Sequence, residues 1–277
     1  MKISLITACY NSAATIRTAI ESVLSQRGVD IEYLIVDGGS TDGTVDIIKE
    51  YADKTHDSQL ATHNITFRWI SERDKGMYDA INKGIKMATG DVVGILNADD
   101  VLESPDTLAH VVAAFELKEA SVPCSLFPVP QRIDALYADI RFVKDDLETT
   151  VRYYSAKHWK PWMLQWGKMP PHPSVYIRRE LFEKYGLYKL GYDIAADYEL
   201  LIRYLRMAKL KTKYLNESLV RMRMGGKSTR GWKSFVTLNK EIVRGNRENG
   251  YFCCFPMLLP KYLFKIFEFI LPKLGLK

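Results

Sequence analysis

The stretch Gly90-Asp91-Val92-Val93-Gly94-Ile95-Leu96-Asn97-Ala98-Asp99-Asp100 decides how this chain folds. Its short apolar run, bounded by a glycine and by a polar-acidic cluster, reads as a strand buried on both faces. The run ends in two adjacent carboxylates, which repel one another and resist burial unless a cation or a set of donors lies between them. The plain alternative is a solvated turn with Asp as turn former. In an open α/β sheet, ligands bind beyond the carboxyl ends of the strands, which is where Asp99 and Asp100 would stand.

Working back from this strand, three similar units precede it. Lys2–Thr7 reads as a strand, Asn11-Ser12 breaks it, and a helix is expected over 13–25. Residues 32–36 form a second strand that runs into Asp37-Gly38-Gly39-Ser40-Thr41-Asp42-Gly43-Thr44, with a helix over 45–51. Residues 66–70 form a third, ending at Ser71-Glu72-Arg73-Asp74-Lys75-Gly76 before a helix over 77–87. Strands alternating with helices imply an α/β protein whose largely parallel sheet is covered on both faces. Downstream, the pattern predicts a helix from Pro105 to Glu119, a strand over 135–143, a Trp- and Pro-rich loop over 153–176, an amphipathic helix over 195–207 and an extended run over 215–224.

The net charge of +6 is uneven. Residues 201–277 carry 17 Lys/Arg against 4 Asp/Glu, whereas residues 1–200 carry 22 against 29. The chemistry is therefore expected in the acidic part and an interaction surface in the basic one. Four cysteines show neither metal-ligand spacing nor a disulfide framework, which fits a reducing compartment. The tail 251–271 is rich in Phe, Leu and Ile but is interrupted by Lys261, Lys265 and Glu268. It is read as an amphipathic helix at an anionic membrane surface, with packing on the core or on a second copy as the alternative.

Each strand end carries groups suited to a phosphorylated, metal-bound ligand. Asp37 can accept a hydrogen bond from a ring N–H of a nucleobase, and Gly38 lets the backbone approach closely. Gly38-Gly39-Ser40 is not the G-x-G-x-x-G fingerprint of dinucleotide binding, which disfavours a dehydrogenase. Arg73, Asp74 and Lys75 set two cations and an acid at the third strand end, and Tyr78, Asp79 and Asn82 follow at the start of the next helix.

Four ordered motifs, Thr7-Ala8-Cys9-Tyr10-Asn11, Asp37 to Thr44, Asp74 to Gly84 and Asn97-Ala98-Asp99-Asp100, make the sequence resemble a family 2 glycosyltransferase of the inverting GT-A type. Pro171-His172-Pro173-Ser174 and Gly225-Gly226-Lys227-Ser228 give it a narrower similarity to bacterial polysaccharide-assembly members of the colanic-acid type. The resemblance implies a Rossmann-like, mixed sheet with helices on both faces. It also implies a nucleotide-sugar donor, most simply a UDP-sugar, and a glycan or polyprenyl-linked glycan acceptor, with no nucleic-acid partner.

By the same resemblance, Thr7, Ala8, Tyr10 and Asp37 hold base and ribose, with Gly38, Arg73, Asp74, Lys75, Asp79 and Asn97 completing the donor site. Asp99 and Asp100 match the family's D-x-D element, where Asp99 also contacts ribose and both bind Mg²⁺ or Mn²⁺; Asn97 replaces the first acid of that element. Asp197 matches the general base, with Asp193 and Glu199 as competitors. His172, Lys227 and Ser228 are secondary candidates toward the metal or diphosphate, and Trp159, Trp162 and Trp166 toward sugar faces. The expected domain runs over 1–230, divided into a nucleotide-sugar half (1–104) and an acceptor half (105–230). A basic helical extension over 231–277 would place the protein peripherally at the cytoplasmic face of a bacterial membrane. Two rival readings remain: a non-catalytic nucleotide-sugar-binding scaffold, and a sugar nucleotidyltransferase, whose glycine- and basic-rich loop after the first strand is not found.

Overall fold

The computed structural model describes residues 1–56, 64–116, 132–224 and 231–262. The N-terminal units form as the sequence predicts: β1 (Lys2–Cys9), α1 (Ile16–Leu24), β2 (Asp30–Asp37), α2 (Thr44–His56), β3 (Ile65–Ser71), α3 (Met77–Met87) and β4 (Val92–Ile95). β1 lies between β2 and β4 and pairs with both in parallel, and β3 pairs in parallel with β2.

Strict alternation sends successive side chains of these strands to opposite faces. Ile3 and Leu5 of β1, with Val92 of β4, pack in the core that also holds Ile16, Ile20 and Val23 of α1. Ile6, Val93 and Ile95 point the other way, into the core shared with Ile81 and Ile85 of α3. The spacing Ile16, Ala19, Ile20, Val23 gives α1 one apolar stripe, and each large side chain buried there contributes about 1.5–3 kcal/mol.

The second half turns the sheet mixed. β5 (Val101–Leu102) and α4 (Thr107–Glu116) lead to β6 (Ala135–Val143) and β7 (Thr150–Tyr154). The expected loop over 153–176 contains the end of β7 and two short 3-10 turns, 161–166 and 172–174, before β8 (Tyr176–Arg178). After α5 (Glu180–Tyr185), the helix predicted over 195–207 is α6 (Ala196–Leu201) continued by a wider turn over 202–207, in which Ala208 N bonds Arg203 O. β9 (Thr212–Arg223), α7 (Gly231–Glu248) and a short 3-10 turn, Phe255–Leu258, complete the described elements. The strand order is β3-β2-β1-β4-β8-β6-β9-β5, with β7 beside β6; β8 is antiparallel to β4 and β6, while β9 is parallel to β6. No described helix is long and apolar enough to cross a membrane.

At the end of the sheet away from the strand termini named above, Glu32 is 1% exposed. It accepts hydrogen bonds from Ser4 Oγ (2.6 Å), Thr89 N (2.7 Å) and Arg68 Nη1 (2.8 Å), which ties β1, β3 and the turn before β4 to β2. Burial opposes its charge, but these donors prevail and hold its carboxyl down at about 2. The stabilisation is therefore complete above the ordinary value of 4.5 and is lost as pH falls toward about 2. Glu32→Gln is expected to cost about 1–3 kcal/mol in a denaturant titration at pH 7 and to flatten the acid-side loss of stability between those pH values.

Candidate functional site

The loops after β1 and β2 are laced together. Asn11 N donates to Ser40 Oγ (2.7 Å), Thr41 N to Asn11 Oδ1 (2.9 Å), Ser12 N to Thr44 Oγ1 (2.8 Å) and Ala13 N to Asp42 Oδ2 (3.0 Å). Asn11 takes φ +48°, a conformation that Asn tolerates better than most residues.

Asp37 is fully buried at the root of this platform. Its Oδ2 accepts from Gly39 N (3.0 Å), Ser40 N (3.0 Å) and Ser71 Oγ (2.6 Å), and its Oδ1 from Ser40 Oγ and the Cys9 thiol. Burial works against its charge, yet the serine and amide donors keep the carboxyl below its usual range. Donors from its own loop, from Ser71 and from Cys9 thus surround the carboxylate from which a bond to a base N–H is expected. Thr7 is fully buried, with its hydroxyl 3.1 Å from Tyr33 OH. Ala8 is partly exposed and Tyr10 stands at the rim, 62% exposed. The space over Gly38 is also taken, since a Cβ there would lie 2.5 Å from Asp74 Oδ2. Glycine at 38 thus admits the Asp74 carboxylate, whose Oδ1 accepts from Gly76 N (2.8 Å). Asp79 accepts from Lys75 N (3.0 Å), while the side chains of Arg73 and Lys75 are exposed.

Beyond β4 the two neighbouring acids differ. Asp100 is fully buried; Asn97 Nδ2 donates to its Oδ2 (2.7 Å) and Arg223 N to its Oδ1 (3.2 Å). Burial first, and then the charge of Asp99, push its carboxyl well above the usual range. Asp100 therefore braces the turn together with Asn97, and of the two acids expected to bind the metal only Asp99 keeps exposed surface. Asp99 is partly exposed, and its carboxylate carries no hydrogen bond from the described residues. Arg223 Nε fixes its backbone by donating to Asp99 O (3.0 Å).

Among the described residues, no group of three or more His, Cys, Asp or Glu could cage a metal. Mg²⁺ and its analogues are commonly held by one or two carboxylates together with substrate phosphates. The single outward carboxylate of Asp99 fits an ion shared with a diphosphate.

In the second half of the chain, Asp197 in the first turn of α6 is partly buried. Its Oδ1 accepts from Tyr198 N (2.7 Å) and lies 3.3 Å from Tyr78 OH of α3. Tyr78 stacks on Tyr188 with ring centroids 5.7 Å apart, and Tyr188 OH is 2.7 Å from His172 Nε2. Burial raises the Asp197 carboxyl, while the neighbouring imidazole, the Tyr198 amide and Tyr78 oppose that rise. Burial likewise lowers the His172 imidazole, against the pull of Asp197. A narrow apolar cavity lined by Val93, Ile95, Ile177 and Leu201 backs His172 and joins the end of β4 to this cluster.

The competitors do other work. Glu199 is fully buried between Lys189 Nζ (2.8 Å) and Arg203 Nε (2.9 Å), and Asp193 is exposed. Trp159 is buried, whereas Trp162 and Trp166 are 56% and 41% exposed. Lys227 and Ser228 lie outside the described residues. Sequence reasoning missed Tyr188; its only signal was an aromatic residue a short distance after the Pro-His-Pro turn.

The glycosyl transferase family 2 model matches residues 4–186. A PGL/p-HBAD biosynthesis glycosyltransferase of Mycobacterium bovis is 32% identical over 213 residues, 77% of this chain and 73% of that protein. An uncharacterized glycosyltransferase of Nostoc sp. is 31% identical over 230 residues, 82% of this chain and 66% of that protein. In fold, the chain is similar to S. aureus TarS solved with UDP-GlcNAc (TM-score 0.60, 17% identity, 88% of this chain). It is also similar to a mannosyltransferase from Pyrobaculum calidifontis solved with GDP-Man and Mn²⁺ (TM-score 0.59, 20% identity, 89% of this chain). It spans 66% and 63% of those two chains, just under two thirds of each. The laced strand-end loops and the acid-bearing turn after β4 fall within the matched span, and the chain belongs to glycosyl transferase family 2.

Proposed function

We propose that this chain catalyses inverting, metal-dependent transfer of a sugar from a nucleotide-sugar, in the first instance a UDP-sugar, to a hydroxyl of a glycan or polyprenyl-linked glycan in cell-surface polysaccharide synthesis. Residues 1–104 take the donor and residues 105–230 the acceptor. The observation that carries this reading is the 3.3 Å approach of Tyr78 OH to Asp197. It brings a carboxylate of the second half against α3, which begins at the donor-side turn holding Arg73, Asp74 and Lys75.

In this mechanism Tyr10 offers its exposed ring to the base, and Asp37 shapes the loop on which the base rests. Arg73 and Lys75 face the diphosphate, with Lys227 and Ser228 as further candidates for it. Asp99 would hold Mg²⁺ or Mn²⁺, which supplies charge neutralisation on the departing diphosphate. Asp197 takes the proton of the acceptor hydroxyl as its oxygen bonds to the anomeric carbon and the bond from that carbon to the diphosphate oxygen breaks. Attack opposite the leaving group inverts the centre. Burial of Asp197 makes it a stronger base than an exposed aspartate.

A peripheral position on the cytoplasmic face of the membrane is part of the same proposal. The basic excess of residues 201–277 and the exposed Trp232 (75%), Phe252 (70%) and Leu259 (62%) support it.

The following measurements test the proposal. Asp197→Asn is expected to lose roughly 10²–10⁴-fold in kcat for UDP release with acceptor present. In the wild type, kcat falls on the acid side at a higher pH than an ordinary aspartate would impose, because the base must be unprotonated and its carboxyl is raised; full activity in Asp197→Asn overturns the base. Asp99→Asn is expected to abolish Mn²⁺-dependent UDP binding in calorimetry with an unchanged melting temperature, whereas Asp100→Ala costs about 1–3 kcal/mol of stability by leaving Asn97 and Arg223 N unpaired. Truncation after Gly250, which removes Phe252 and Leu259 with the rest of the tail, is expected to release the protein from membranes in a flotation assay. Retention on membranes overturns anchoring by the tail.

A further inference from the structure

Glu241, near the middle of α7, is 8% exposed and gives both carboxylate oxygens to a distant stretch of backbone. Asp193 N donates to its Oε1 (2.7 Å), and Ile194 N (2.9 Å) and Ala195 N (2.8 Å) donate to its Oε2. These three consecutive amides lead directly into α6, which has no side-chain cap of its own. The same stretch is held from its other side, because Tyr78 OH donates to Ile194 O. Asp197 follows two residues after Ala195. The helix bearing this carboxylate thus takes its direction from two clamps: Tyr78 on a carbonyl and Glu241 on the amides.

We propose that Glu241 is a positioning residue for Asp197, and that α7 thereby completes the acceptor side of the site; this rests on Asp197 acting as the base. Buried amides without acceptors are costly, so loss of Glu241 makes the 193–195 stretch turn toward water. A shift on the order of 1 Å in a proton-accepting group is enough to cost roughly 100-fold in rate. α7 keeps other ties to this region without Glu241. Asn246 Nδ2 donates to Tyr198 OH (3.1 Å), Asn249 Nδ2 to Glu199 Oε1 (3.1 Å), and Tyr192 OH to Glu248 Oε2 (2.9 Å). The variant therefore keeps a docked α7.

The test uses the full chain with Glu241→Ala and Glu241→Gln, measuring kcat, donor KM and the pH dependence of kcat by nucleotide release. Glu241→Ala is expected to lose roughly 10- to 100-fold in kcat with donor KM within about twofold, since the donor loops lie on the other half of the sheet. The acid limb is expected to move to lower pH, because Asp197 gains water. The groups facing it, Tyr78 from α3, His172 from the 172–174 turn and Tyr188, are unchanged in the variant. Glu241→Gln is expected to fall between, because its amide oxygen still accepts from Ile194 and Ala195 N. Wild-type kcat in Glu241→Ala overturns the inference. So does an equal loss in both variants with an unmoved acid limb, the pattern of a purely structural defect. If Glu241→Ala does not fold, an unmoved acid limb in Glu241→Gln is decisive against it. A fully active Asp197→Asn removes the base reading instead, whatever Glu241 does.

Discussion

The parallel pairing of β1 with a neighbour on each side is the constraint from which the rest of the structure follows. Its register sets Cys9 beside Asp37 on one flank and Ile6 beside Ile95 on the other, so three strands end at one edge of the sheet. Parallel strands bury both faces and leave only their ends for polar chemistry. The loops that follow must therefore satisfy their own backbone there, and the exchange among Asn11, Ser40, Asp42 and Thr44 does so.

Burial then sorts the carboxylates into two kinds. Glu32, Asp37, Asp100 and Glu241 are nearly or wholly removed from water, and their oxygens are spent on serines, amides and, for Glu32, an arginine. Asp99 and Asp197 keep part of their surface. A buried acid must be satisfied or neutral, and each donor it accepts occupies one of its lone pairs. Beyond β4 and at the start of α6, Asp99 and Asp197 are thus the carboxylates left with surface to meet a ligand.

The strands and their ends were legible because an apolar run of fixed length, closed by Gly and Asp, has few other meanings. α3 was legible to the residue, its stripe of Tyr78, Ile81 and Ile85 being bounded by Gly76 and the break at Ala88. The surroundings of Asp37 and Asp100 were not, because what distinguishes them from Asp99 is supplied by Ser71 and Arg223, which only the folded sheet brings near. β5 and β8, of two and three residues, are too short to carry a period, and their pairing partners decide them. The clamp on the residues before α6 was hidden for the same reason. Residues 193–195 look uncapped in sequence, and their acceptor arrives from α7, 46 residues beyond Ala195.

The wide turn at 202–207 behind α6 holds one residue more than an ordinary helical path requires. Arg203 fills that neighbourhood, reaching the carbonyls of Tyr185, Gly186 and Leu187 as well as Glu199. Such a turn is a place where chain length can change. Deleting one residue there tightens the helix to regular spacing and redirects the chain on its way to β9, while the segment before it stays clamped. A one-residue deletion would thus re-aim the strand that follows and leave Asp197, two residues beyond the clamped amides, where it is.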